Sequence, residues 1–161
     1  MTILAGKRSA VLVPAIVVAG LISFGASAAS GSRFTATSAQ TARRLVAVRA
    51  SHRAGYDRVV FDFAGGLPTR RNVRYVGHLI ADPLGRRIRI AGRAILEASF
   101  FPATAQSATG HSTAPARVAF ALPSLMSAVR AGDFEAVLSY GLGLARRTSF
   151  HVFTPSNRAA W

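Results

Sequence analysis

From Leu45 onward the apolar residues recur at every second position rather than with a helical period of about 3.6. In "YDRVVFDF", Val59, Phe61 and Phe63 fall on one side, with Arg58, Val60 and Asp62 on the other. "LVAVRA" sets Leu45, Ala47 and Arg49 against Val46 and Val48. After the turn signal "AGGLP", "NVRYVGHL" sets Val73 and Tyr75 against Arg74, Val76 and His78. A second turn, "ADPLGR", leads to "RRIRI", where Ile88 and Ile90 oppose Arg87 and Arg89. "AILEASFF", "VAFAL", "EAVLSYGLGL" and "FHVFT" continue in strand-like composition. The span from Pro102 to Arg117 is polar and rich in small residues, which predicts a long loop. "PSLMSAVRAGDF" is ambiguous, because Leu125, Met126 and Val129 fit one turn of helix. Short strands at close spacing with no long helix predict an all-β fold, a β-sandwich or partly closed barrel of antiparallel strands.

The amino-terminal pattern is different. Lys7 and Arg8 precede an uncharged apolar run from Ala10 to Phe24, followed by "ASA" at Ala26–Ala28. A short basic region, an apolar core and small residues at the cut are the marks of a secretory signal peptide over residues 1–28. The competing expectation is an uncleaved membrane anchor. That needs roughly 20 apolar residues, and this run is shorter and contains Pro14. Residues 29–44, Ser-, Thr-, Ala- and Gly-rich with no helical period, read as a flexible linker. Residues 45–161 then form one domain, exported to the cell envelope or beyond.

Charge changes the picture next. The 161 residues carry 20 basic and 6 acidic side chains, formally +14, and Lys7 is the only lysine. A compositional bias toward arginine explains the identity of the basic residues but not the shortage of Asp and Glu. Loss of residues 1–28 removes only Lys7 and Arg8, leaving +12 of that +14. For an exported chain the counter-charges are wall polymers and anionic head groups, not nucleic acid. A membrane enters only if the signal segment stays uncleaved. The absence of cysteine excludes disulfides, thiolate metal sites and a thiol nucleophile.

The candidates for catalysis are few. Asp57 and Asp62 are five apart in an extended segment, so their side chains lie on opposite faces and cannot flank one bond as an acid/base pair. Both read as polar outer positions, with Asp62 sharing a face with Arg58. His52, His78, His111 and His151 are isolated, without the i,i+4 spacing that places two ligands on one metal. No G-x-S-x-G elbow is present. "SYGLGL" lacks the third glycine and the strand–turn–helix setting of a phosphate loop, so its glycines mark a bend or a close backbone approach. No cofactor is expected and no catalytic or metal site is assigned. What the outward positions offer is arginine: if neighbouring strands align, Arg74, Arg87 and Arg89 form a basic stripe on one sheet. A solvated face that discourages edge pairing is the alternative.

The landmarks "GYDRVVFDFAGGLP", "VRYV", "GRAILE", "FALPSL", "AGDFEAVLSYGLGL" and "FHVFTPSN", in that order, resemble the AMIN-like domain of exported actinobacterial proteins, over about Leu45 to Asn157. The resemblance implies an AMIN-type β-sandwich. It also implies a non-catalytic, envelope-targeting module of the kind that associates with peptidoglycan. One departure stands out. Such domains close with a further strand in the pattern "PRLVVDV", whereas "NRAAW" follows here. A sandwich lacking that last strand leaves a sheet edge open, which points to truncation, a strand borrowed from a partner, or marginal stability.

The combined expectation is a non-enzymatic exported domain that binds peptidoglycan or another anionic wall polymer through Arg58, Arg74, Arg87 and Arg89. The alternative is a protein-interaction module whose open edge accepts a strand from an envelope protein.

Overall fold

The computed structural model describes residues 2–5 and 41–154. The apolar core of the signal segment, most of the linker and the "NRAAW" segment lie outside the described residues. Two five-stranded sheets stack face to face, as the period-two pattern predicts. The first has the order β12 (Phe150–Phe153), β1 (Thr2–Ala5), β3 (Tyr56–Ala64), β2 (Arg43–Arg53), β8 (Ala103–Thr104). The second has the order β4 (Arg70–Val76), β7 (Ala94–Phe101), β11 (Val137–Leu144), β10 (Leu125–Phe134), β9 (Arg117–Ala119). All strand pairings within these two sheets are antiparallel except the short β2–β8 contact. Among the described residues there is no helix.

The core lies between the sheets. Alternate residues of β3 (Val59, Phe61), β7 (Leu96, Ala98, Phe100) and β11 (Leu138, Tyr140, Leu142, Leu144) point into it. Its centre is aromatic: the Phe61 ring lies 5.0 Å from Phe100 and 5.6 Å from Tyr140, and Phe63 lies 5.2 Å from Phe100. Such tilted pairs add about 0.5–1.5 kcal/mol each beyond the area they bury. The Tyr140 hydroxyl satisfies itself by donating to the Pro115 carbonyl at 2.8 Å, and burial pushes its pKa up to about 12.

The outer face of the second sheet is also covered. Residues 77–93 leave β4, form the ribbon β5 (Leu79–Ile80) and β6 (Arg87–Ile88), and fold back across β11. This flap has its own small core, Leu79 with Val129 and Ala131, packed by Ile88, Ile90 and Ile95. It can sit so close because β11 presents Gly141 and Gly143 to it. A Cβ at Gly143 would run into the Ala91 carbonyl, and one at Gly141 would come within 2.7 Å of Leu79 Cδ1. The glycines of "SYGLGL" therefore serve a close backbone approach, the reading their strand context supports.

Three local expectations need correction. The segment from Leu125 is strand β10, not a helical turn. Its register shifts between Leu125 and Ser127 and again between Arg130 and Gly132, and these bulges erase the alternation a strand would show in sequence. In β2 a shift between Leu45 and Ala47 turns Leu45 and Val48 both inward and leaves Val46 exposed, so the simple alternation of "LVAVRA" fails there. The small-residue loop after Pro102 is partly core, with Ala103, Ala105 and Ala114 buried and β8 added to the edge of β2.

The sheet position next to β3 is filled by β1, which comes from the segment read as a signal peptide. Thr2–Ala5 run antiparallel to β3 on one side and to β12 on the other, and Ile3 is buried. Thr2–Ala5 thus occupy the lane between β3 and β12.

Candidate functional site

The flap and the end of β4 enclose an open cleft of about 750 Å³. Its apolar floor includes Leu79, Ile88, Ile90 and Ile95, and its charge comes from Arg87, Arg89, Arg93 and Arg147. Period two along β6 and beyond explains the arrangement. Ile88 and Ile90 turn down to the flap core, which forces Arg87 and Arg89 outward. Arg93 enters from the turn before β7, and Arg147 from the turn between β11 and β12.

Among the described residues no carboxylate lines this cleft. Four of the six acidic residues are committed elsewhere. Asp62 takes Arg49 at 2.7 Å, Glu97 takes Arg74 at 3.0 Å, Asp133 lies 3.9 Å from Arg130, and Asp57 holds His52 at 2.7 Å. Asp82 and Glu97 line a separate, smaller cavity of about 330 Å³ on the far side of the flap. Within the cleft Arg87 meets the His78 ring nitrogen, and the Arg147 guanidinium lies 4.2 Å above the Tyr75 ring. Stacking of this kind fixes a guanidinium plane without neutralising it. Four cations gathered at one concave surface repel each other unless water, salt or a bound anion offsets them. The planar forks of arginine match carboxylate and phosphate oxygens in pairs.

The four arginines singled out from sequence are therefore divided. Arg87 and Arg89 line the cleft. Arg74 lies in β4 with its guanidinium on Glu97, beside the smaller cavity. It does not continue a stripe with Arg87, which sits in the two-stranded ribbon rather than in a neighbouring strand of the same sheet. Arg58 is in β3 of the other sheet, paired across to Ser51 and Leu4. Arg93 and Arg147 join the cleft without any signal in their local sequence, since only the folding of two distant turns onto one flap unites them.

Asp57 and Asp62 do face opposite ways, as their odd spacing requires. Asp57, however, is not an outer residue: it points inward and is 2% exposed. Its carboxylate accepts from the Leu125 amide at 2.8 Å, from the Ser124 amide, and from His52. Burial alone would raise its pKa, but the His52 and amide hydrogen bonds outweigh it and hold the carboxyl below its ordinary value. Its role is to staple β3 to the start of β10. Asp62 is the outer one, and its ion partner is Arg49 across the β2–β3 pair rather than Arg58. Among the described residues no group of three or more His, Cys, Asp or Glu stands together as a metal site.

The described residues form a β-sandwich with an arginine-lined cleft on one outer face. Residues 43–159 match the AMIN-like domain model, and the chain belongs to that family. AMIN-like domains are generally binding modules of the cell envelope rather than enzymes. No curated protein and no solved structure matches the chain.

Proposed function

We propose that this protein is an exported, non-catalytic envelope domain that holds peptidoglycan or another anionic wall polymer in the cleft under its flap. The observation that carries the reading is the gathering of Arg87, Arg89, Arg93 and Arg147 around one cleft that, among the described residues, no carboxylate lines. Peptide-stem carboxylates and wall phosphates are the exported polyanions whose oxygens fit guanidinium forks. The apolar floor of Ile88, Ile90 and Ile95 gives the uncharged parts of such a polymer a surface to lie on. Of the arginines expected from sequence, Arg87 and Arg89 carry the binding, while Arg58 and Arg74 lie apart from it.

The test is co-sedimentation of the full chain with purified peptidoglycan sacculi at low and high salt, with circular dichroism to verify folding. Arg87→Ser/Arg89→Ser/Arg93→Ser weakens pelleting by about tenfold, because exposed ion pairs contribute roughly 0.2–1 kcal/mol each. The wild-type interaction weakens with salt. Pelleting by the folded triple variant at wild-type level removes the cleft from consideration, and no pelleting by the wild type removes the polymer.

A further inference from the structure

The smaller cavity of about 330 Å³ differs from the arginine cleft in the sign of its charge. Asp82, Glu97, Ser99 and Ser139 line it, with Ile80 and Val137 as apolar wall. Strand register assembles the sheet side of this set. Ser99 of β7 pairs with Ser139 of β11, and Ser139 pairs with Gly132 of β10. Glu97 stands two residues before Ser99, on the same face of β7.

Asp82 arrives from the flap and is held there by backbone. Its amide donates to the Ala131 carbonyl at 2.9 Å, and the turn behind it closes through the Gly85 amide on the Ala81 carbonyl at 2.7 Å. Gly132 permits the approach. A Cβ there would stand 2.8 Å from Asp82 Cβ and 3.1 Å from Ser139 Oγ, so these two side chains close around one point.

The polar groups of the cavity are only partly used. Ser139 is 9% exposed, yet its hydroxyl has no hydrogen-bond partner among the described residues. A polar group so far withdrawn from solvent is ordinarily partnered. Asp82 makes no ion pair among the described residues. Glu97 receives Arg74 Nε at 3.2 Å and Nη2 at 3.0 Å on Oε2 alone. Two carboxylates against the one guanidinium of Arg74 leave a single negative charge.

That charge and that acceptor set discriminate among cations. Calcium asks for about six to eight oxygen ligands, and a divalent ion here would sit beside the Arg74 guanidinium, which repels it. A primary ammonium brings one positive charge and three N–H donors, and needs one oxygen for each. Ile80 and Val137 offer its methylene stem an apolar surface.

We propose that this cavity binds a primary ammonium carried on a short aliphatic stem, with Asp82, Glu97 and Ser139 as its acceptors. The proposal stands whether or not the arginine cleft holds a wall polymer.

Titration of the isotope-labelled full chain with Nα-acetyl-lysinamide, followed by NMR, tests it. The only charge on this probe is its side-chain ammonium. The amide signals of Asp82, Ser99 and Ser139 shift and saturate, whereas the uncharged Nα-acetyl-norleucinamide leaves them in place. Asp82→Asn weakens binding by about tenfold, as loss of a hydrogen bond to a charged group does. Ser139→Ala weakens it by about threefold, and decides the matter if Asp82→Asn loses its strand circular dichroism. Asp62→Asn removes the same charge from the other sheet and leaves the affinity at the wild-type level.

Signals that do not move overturn the proposal, as does an equal response to the norleucine probe. Wild-type affinity in a folded Asp82→Asn overturns it too, and so does equal weakening by Asp62→Asn, which would reduce the effect to net charge. Calcium chloride producing the same shifts at lower concentration would make the cavity a metal site instead.

Discussion

Two sets of arginines in this molecule share a residue type and differ in everything else. Arg49 and Arg74 stand on strands of the two sheets, each ion-paired to a carboxylate supplied by the neighbouring strand, Asp62 or Glu97. Arg87, Arg89, Arg93 and Arg147 stand on a flap and two turns, with Tyr75 stacked on Arg147, His78 beside Arg87, and no ion pair to a carboxylate among the described residues. On the strands the positive charge is spent inside the protein. At the cleft it remains available to a ligand. With 20 basic residues and 6 acidic ones, most arginines must go without a carboxylate, and the informative fact is that several of these converge on one concave surface.

The comparison breaks most completely by unseating the flap. Gly143→Ala places a methyl group against the Ala91 backbone, where neither side can yield cheaply. We expect a loss of about 3 kcal/mol in urea unfolding, together with loss of polymer binding, because Arg87 and Arg89 ride on the flap. Wild-type stability in this variant would mean that the flap does not rest on β11.

Asp57→Asn comes next, at about 2 kcal/mol near neutral pH, because a buried acceptor of two amides and His52 is weakened. The effect has a defined pH dependence. The folded carboxyl is held below its ordinary 3.8, so its stabilisation is complete above that value and is lost as pH falls through the lower folded value. The stability gap between wild type and Asp57→Asn therefore narrows in acid, read from urea midpoints along a pH series. A gap that does not change down to strongly acid pH would contradict the depressed value.

Smaller again is the triple arginine change at the cleft, about tenfold in polymer binding, equivalent to about 1.4 kcal/mol. Least of all is Arg74→Ser. Its guanidinium is mostly exposed, so stability falls by less than about 1 kcal/mol and sacculus binding stays at the wild-type level. If Arg74→Ser weakened binding as much as the cleft variant does, the distinction between committed and available arginines would collapse.

Much of the fold was legible because a regular strand in a sandwich writes its burial into every second residue. Val59 and Phe61 of β3, and Leu96, Ala98 and Phe100 of β7, were readable in this way. Legibility ended where the backbone departs from regular pairing: the two bulges of β10, the one near Val46, and the inward Asp57, whose partners at Ser124 and Leu125 are about 67 positions away in sequence. Arg87 and Arg89 could be picked out because their alternation with Ile88 and Ile90 forces them outward. Arg93 and Arg147 could not, since their neighbours in sequence say nothing of the cleft they share.

The sequence by itself determined the fold class, the alternation that builds the sandwich core, and the excess of positive charge. These follow from local spacing and composition, which act before any long-range contact forms. Only the tertiary structure decided which arginines are neutralised and which converge, that Asp57 is a buried staple, and that Thr2–Ala5 lie in the lane between β3 and β12. Those outcomes depend on which distant segments meet, and pairing across a sheet is set by the fit of whole strands, which no single stretch of the chain contains.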